Sequence, residues 1–363
     1  MSGKIHMYWG RVIDTYDSRY VYDPKTPRQH VELSPQATEA LQTNGAKAIN
    51  MLRTLGESSV NNRNQITLPL LESLVDFTMF PTSLPMLGNP MVVRGCIKLL
   101  ESVTRSGKYS TFSYEYGQLC FRILLIAYDY CVLKIANRDD SWMAEAARPE
   151  NQLLKGGLAP MLSKAASELI DEHVAEADGD FYSGFTLSRT WDSHTGPLVE
   201  PEYVVLLTQI FDEDRSRFLI FMRSNYSLRL NSMFYIMFQV LHRTPPIPNN
   251  RAFIQAFSRV YNRHLLLAPG DPFSWGQHQF AMAVTRKFPQ AKQNLDAEDS
   301  KLLLRAYTDR LTILSESSLL HKRATAPLAV EYLEYILPLL VAGCEELVPR
   351  AIEATTGCMW RDL

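Results

Sequence analysis

Residues 117–136, GQLCFRILLIAYDYCVLKIA, restrict the folds open to this chain more than any other stretch. Wound at 3.6 residues per turn, the segment is apolar over almost its whole circumference. Gln118, Arg122 and Asp129 share one narrow stripe, and Lys134 stands apart from it. A helix with so little polar surface lies inside a large protein or a membrane. Three charges within 13 residues argue against a span. The expectation is a central helix that other helices must cover.

Neighbouring stretches supply candidates to cover it. Ser34-Pro35 and Asn89-Pro90 each pair an N-cap residue with proline at the first helical position, predicting helices to about Leu55 and Arg105. Leu70, Leu71, Leu74, Val75 and Met79 mark a helical stripe within 66–80. Pro81, Pro85 and Pro90 make the stretch that follows read as a loop. In 160–177, Leu162, Ala165, Ala166, Leu169 and Ile170 form one face, and Lys164, Ser167, Glu168, Asp171 and Glu172 the other. Residues 137–157 are polar and broken. A second very apolar cluster spans 202–243, and Arg229, Ser232, Gln239 and Arg243 draw a thin polar seam in its last helix.

About a dozen helices and no convincing strand run result, so the expected class is all-α. The arrangement is read as an irregular helical stack of the HEAT or armadillo kind, or as two packed helical lobes. Residues 1–33, with four tyrosines, one tryptophan and two prolines, read as an aromatic-rich arm or short hairpin; 34–179 as an N-terminal lobe; 180–201, which lacks helical periodicity, as an irregular linker; and 202–363 as a C-terminal lobe. A chain of 363 residues that is 46% hydrophobic has ample material for such cores.

Charge narrows the partners. Lys and Arg number 37 against 39 Asp and Glu, with no long run of either sign, which gives no strong nucleic-acid signal. The five cysteines, 96, 120, 131, 344 and 358, are odd in number and form no C-x-x-C pair. Buried free thiols in a reducing compartment are the plainer reading, so the expected location is cytoplasm or nucleus, without secretion.

No nucleophile elbow, phosphate loop or paired-histidine metal motif occurs, and no cofactor is called for. Asp139 and Asp140 are the one weak metal candidate. The pair is similar to the aspartate-rich motif of class I terpene synthases, all-helical enzymes in which it binds a magnesium–diphosphate. Ser141-Trp142-Met143 follows, however, so the third aspartate is missing, and no second metal motif appears downstream. Trp191 and His194 lie in the 180–201 stretch, where a loop could reach over a groove.

Arg122 and Asp129 are seven residues apart, about 10 Å along a helix axis, too far to pair with each other. If buried, each requires its own partner. Two readings stand: bonds to neighbouring helices, or a ligand groove to which Arg229 also contributes. The functional expectation is a non-catalytic helical scaffold that binds another protein or peptide along a groove. The alternative is an all-helical enzyme acting on a small anionic ligand, diphosphate for example, in an internal pocket.

Overall fold

A computed structural model describes residues 5–12, 34–57, 65–105, 110–148, 158–176, 198–213 and 230–243. It also describes scattered positions elsewhere: 217, 218, 221, 253, 256, 257, 260, 301, 304, 305, 308, 348–350, 352 and 353. The chain divides into two compact units, Met1–Pro245 and Pro246–Leu363. That boundary falls in the proline-rich break at 244–248. Most of the expected linker, 180–197, lies outside the described residues.

The first unit is mainly helical among the described residues. A two-stranded antiparallel hairpin, β1 (Ile5–His6) and β2 (Gly10–Arg11), precedes α1 (Pro35–Glu57), α2 (Leu68–Phe77) and a short α3 (Leu84–Leu87). Next come α4 (Pro90–Arg105), α5 (Glu115–Ile135), α6 (Asp139–Ala146), α7 (Leu158–Glu176), α8 (Pro201–Glu213) and α9 (Asn231–Arg243). Two helix starts follow the cap chemistry in the sequence. Ser34 Oγ accepts from the Ala37 N–H at 3.2 Å, and Asn89 Oδ1 from the Met91 N–H at 2.8 Å.

The proline loop is partly helical. Pro81 opens a single 3-10 turn and Pro85 lies in the first turn of α3, positions where a missing N–H costs no helical bond. The polar stretch after α5 also holds a helix, α6, which sets Asp139 and Asp140 in its first turn and buries Trp142 and Ala146. Its periodicity escapes notice because only those two apolar side chains are buried.

In α5 every residue from Glu115 to Leu133 is buried. Against it pack α2, α4, α7 and α9, with α1 laid along α4. Five phenylalanines fill one side: Phe121 of α5 meets Phe112 at 5.6 Å and Phe211 of α8 at 5.2 Å between ring centroids, and Phe218 stacks on Phe211 at 4.4 Å, with Phe221 5.0 Å from Phe121. Such offset and edge contacts contribute beyond the area they bury. The helix ends in a Schellman turn. Asn137 adopts φ 54°, its N–H donates to the Lys134 carbonyl and the Arg138 N–H donates to the Leu133 carbonyl.

The start of α5 has no side-chain cap. The hairpin takes that role. The Tyr116 N–H, one of the helix's unpaired donors, bonds to the Trp9 carbonyl at 3.1 Å. Glu115 accepts from the Arg11 backbone N–H at 3.3 Å and from its guanidinium at 3.2 Å, and Tyr116 Oη donates to the Ile66 carbonyl at 2.7 Å. Tyr8, Trp9 and Tyr116 pack together beside these bonds.

Of the second unit, Phe253, Ala256, Phe257 and Val260 are helical and buried at i, i+3, i+4, i+7 spacing, the signature of one apolar helix face.

Contact between α1 and α4 depends on two reciprocal glycines. A Cβ on Gly56 would sit 1.9 Å from the Met91 carbonyl oxygen, and one on Gly95 2.1 Å from that of Leu52. Lys98 Nζ bridges the same joint, donating to the Leu55 and Gly56 carbonyls at 2.9 and 3.2 Å. On helix propensity alone Gly95→Ala gains about 1 kcal/mol. We expect a loss of about 1–3 kcal/mol instead, because backbone must move apart. Urea unfolding of the variant measures which sign holds, and a stabilised variant contradicts the close approach.

Candidate functional site

The polar stripe of α5 is wholly interior. Gln118, Arg122 and Asp129 are all buried, with Asp129 at 1% exposure. A carboxyl at that depth must find partners. Ser232 Oγ, in the first turn of α9, donates to Asp129 Oδ1 at 2.5 Å. Ser163 of α7 supplies a second hydroxyl bond. Both serines are fully buried. The seam of α5 and the seam of α9, separate features of the sequence, therefore meet in one cluster on three helices.

Burial sets the chemistry of the carboxyl. Desolvation disfavours the charged form and pushes Asp129 up from 3.8 to about 7, while the hydroxyls of Ser232 and Ser163 pull the other way. The group is thus suited to holding a proton near neutral pH. Burial likewise pushes the Tyr128 phenol and the thiols of Cys96, Cys120 and Cys131 upward, which makes these cysteines poor nucleophiles.

The other candidates are placed differently. Asp139 is half-buried and Asp140 exposed, at the start of α6. They act on Tyr130, whose phenol is pushed up to about 12 by burial first and then by these two carboxylates. Neither enters the hydrogen bonding of Asp129, whose partners are the two serines. Among the described residues no group of three or more His, Cys, Asp or Glu is arranged to hold a metal ion. Trp191, His194 and Arg229 lie outside the described residues.

Two features escape sequence reasoning. Ser163 and Ser167 are both buried, although Ser167 falls on the polar face by periodicity. Serine is small enough to line a close helix contact, so the buried face of α7 is wider than its leucines mark. Arg94 of α4 pairs with Glu200 at 2.6 Å and fixes the start of α8, where the Glu200 carbonyl receives the Tyr203 and Val204 N–H groups. Lys98 stands beside this pair, and burial, with help from Arg94, lowers its pKa. An Arg and a Glu more than a hundred residues apart carry no local signal of pairing.

Comparison with protein-family models, curated proteins and solved structures finds no match for this chain. Among the described residues no helix is long and apolar enough to cross a membrane.

Removing the carboxyl tests the cluster. Asp129→Ala leaves two buried hydroxyls short of an acceptor, and we expect a loss of about 2–4 kcal/mol near neutral pH. Asp129→Asn keeps shape and acceptor and loses about 1 kcal/mol or less. Denaturant midpoints of the two variants check this; equal losses contradict the hydrogen-bonded arrangement.

Proposed function

We propose that this chain is a non-catalytic helical scaffold that binds another protein or peptide along a groove. One observation carries the partner-binding part of the reading: Ile5 is 72% exposed and Met7 fully exposed on a hairpin otherwise anchored to the core. Apolar side chains held outward on a rigid support suit recognition, since little order is lost when a partner covers them. The polar groups of α5 give supporting weight. Asp129 and Glu115, which could serve chemistry, are engaged in bonds within the fold. A location in cytoplasm or nucleus belongs to the same reading, and the free buried thiols of Cys96, Cys120 and Cys131 support it.

A photo-crosslinking residue at position 7 is compared with one at position 164, exposed on α7. Discrete adducts from position 7 alone, competed by unlabelled protein and lost when Ile5→Glu is added to the chain carrying the position 7 probe, are expected. Equal labelling from both positions contradicts the assignment. So does a rise in unfolding temperature with magnesium and diphosphate, which indicates a small-ligand site.

A further inference from the structure

We propose that Asp129, Ser163 and Ser232 form a proton-operated latch, in which the neutral carboxyl holds α9 against α5 and α7 and ionisation loosens that joint. The geometry carries the argument. One buried carboxyl is shared by hydroxyls from two other helices, and nothing else in the cluster is charged. An ionised carboxylate in such a place demands hydration, and water reaches it only if a helix moves.

The surroundings contain little to offset that charge. On α5 the ionisable neighbours that Asp129 acts on are Tyr128 and Cys131, both neutral at moderate pH because burial raises them. From α7 it is Ser163 that faces it; Lys164 and Glu168 point outward and pair with each other at 3.6 Å. From α9 it is Ser232, with Gln239 the other buried polar side chain among the described ones of that helix. The carboxylates of α6 act on Tyr130. Among the described residues no Lys, Arg or His opposes the desolvation of Asp129.

The direction of the pH dependence follows. The folded chain keeps the proton between 3.8 and about 7, a window in which an exposed carboxyl has released it. The contribution of that proton to closure is complete below 3.8, declines as pH rises, and is gone above about 7. Loosening at neutral pH is local, because α1 and α4 meet through Gly56, Gly95 and Lys98, which take no part in the cluster. In the chain, α9 ends two residues before the end of the first unit, so the latch governs the helix that leads to the second.

Hydrogen exchange of the full chain between about pH 5 and 8, with rates corrected for intrinsic pH dependence, tests this. Protection of amides in 231–243, alone or with 158–176, is expected to fall by up to about tenfold per pH unit. The fall should level off above about 7, while α1 and α4 stay constant. Asp129→Asn should abolish the slope. Ser232→Ala removes a donor that favours the carboxylate and should move the levelling point to higher pH. That variant decides the matter if Asp129→Asn does not fold. A flat profile in α9, a parallel fall in α1 and α4, an unchanged slope in Asp129→Asn, or a levelling point that stays or drops in Ser232→Ala overturns the latch.

Discussion

Burying a helix on all sides presses the polar groups on it to find partners, which Glu115 and Asp129 do and Gln118 Nε2 and Tyr128 Oη, among the described residues, do not, and this is the constraint on which the first unit rests. A single unmatched carboxyl or N–H in a dry interior costs as much as a sizeable share of a domain's net stability. For α5 the side chain of Asp129 is met by serines from two helices, and that of Glu115 by Arg11. The free N–H of Tyr116 is met by Trp9. Each compensation comes from a different element, so satisfying α5 fixes where α7, α9 and the hairpin must lie. Apolar packing alone, such as the phenylalanine cluster, would tolerate several arrangements; these bonds tolerate few.

The hairpin completes the helix start on one side and carries the surface proposed for a partner on the other. Inward, its carbonyl and arginine complete the start of α5, where Tyr114 offers no cap. Outward, it holds Ile5 and Met7 in solvent. The same economy appears at α4, where Lys98 and Arg94 join α1 on one side and Glu200 on the other.

Helix positions were the legible part of the chain, for physical reasons that are local. Ser34-Pro35, Asn89-Pro90 and the apolar run of α5 carry their signals within one or two turns. The stripe of Gln118, Arg122 and Asp129 and the seam of Ser232 and Gln239 could also be read, because polar residues stand out in apolar helices. Which seam meets which could not. The Asp129–Ser232 bond spans 103 positions, and its choice depends on tertiary packing that no periodicity encodes. The buried serines of α7 were hidden by the converse problem, since polar residues on a buried face look like a solvated one, while α6 buries only Trp142 and Ala146, too few to mark a period. Mainly helical character stands for the described residues, whereas a HEAT-like or two-lobed arrangement is a finer claim that helix density alone cannot supply.

The central claim is that α5 is the element whose complete burial organises its neighbours. Residue-resolved hydrogen exchange at a single mildly acidic pH measures this most directly. Amides of 119–133 should exchange only through global unfolding, more slowly than those of α1, α6 and α8, and with the same denaturant dependence as the whole unit. Exchange in α5 as fast as in those outer helices, through local openings insensitive to denaturant, would contradict the account.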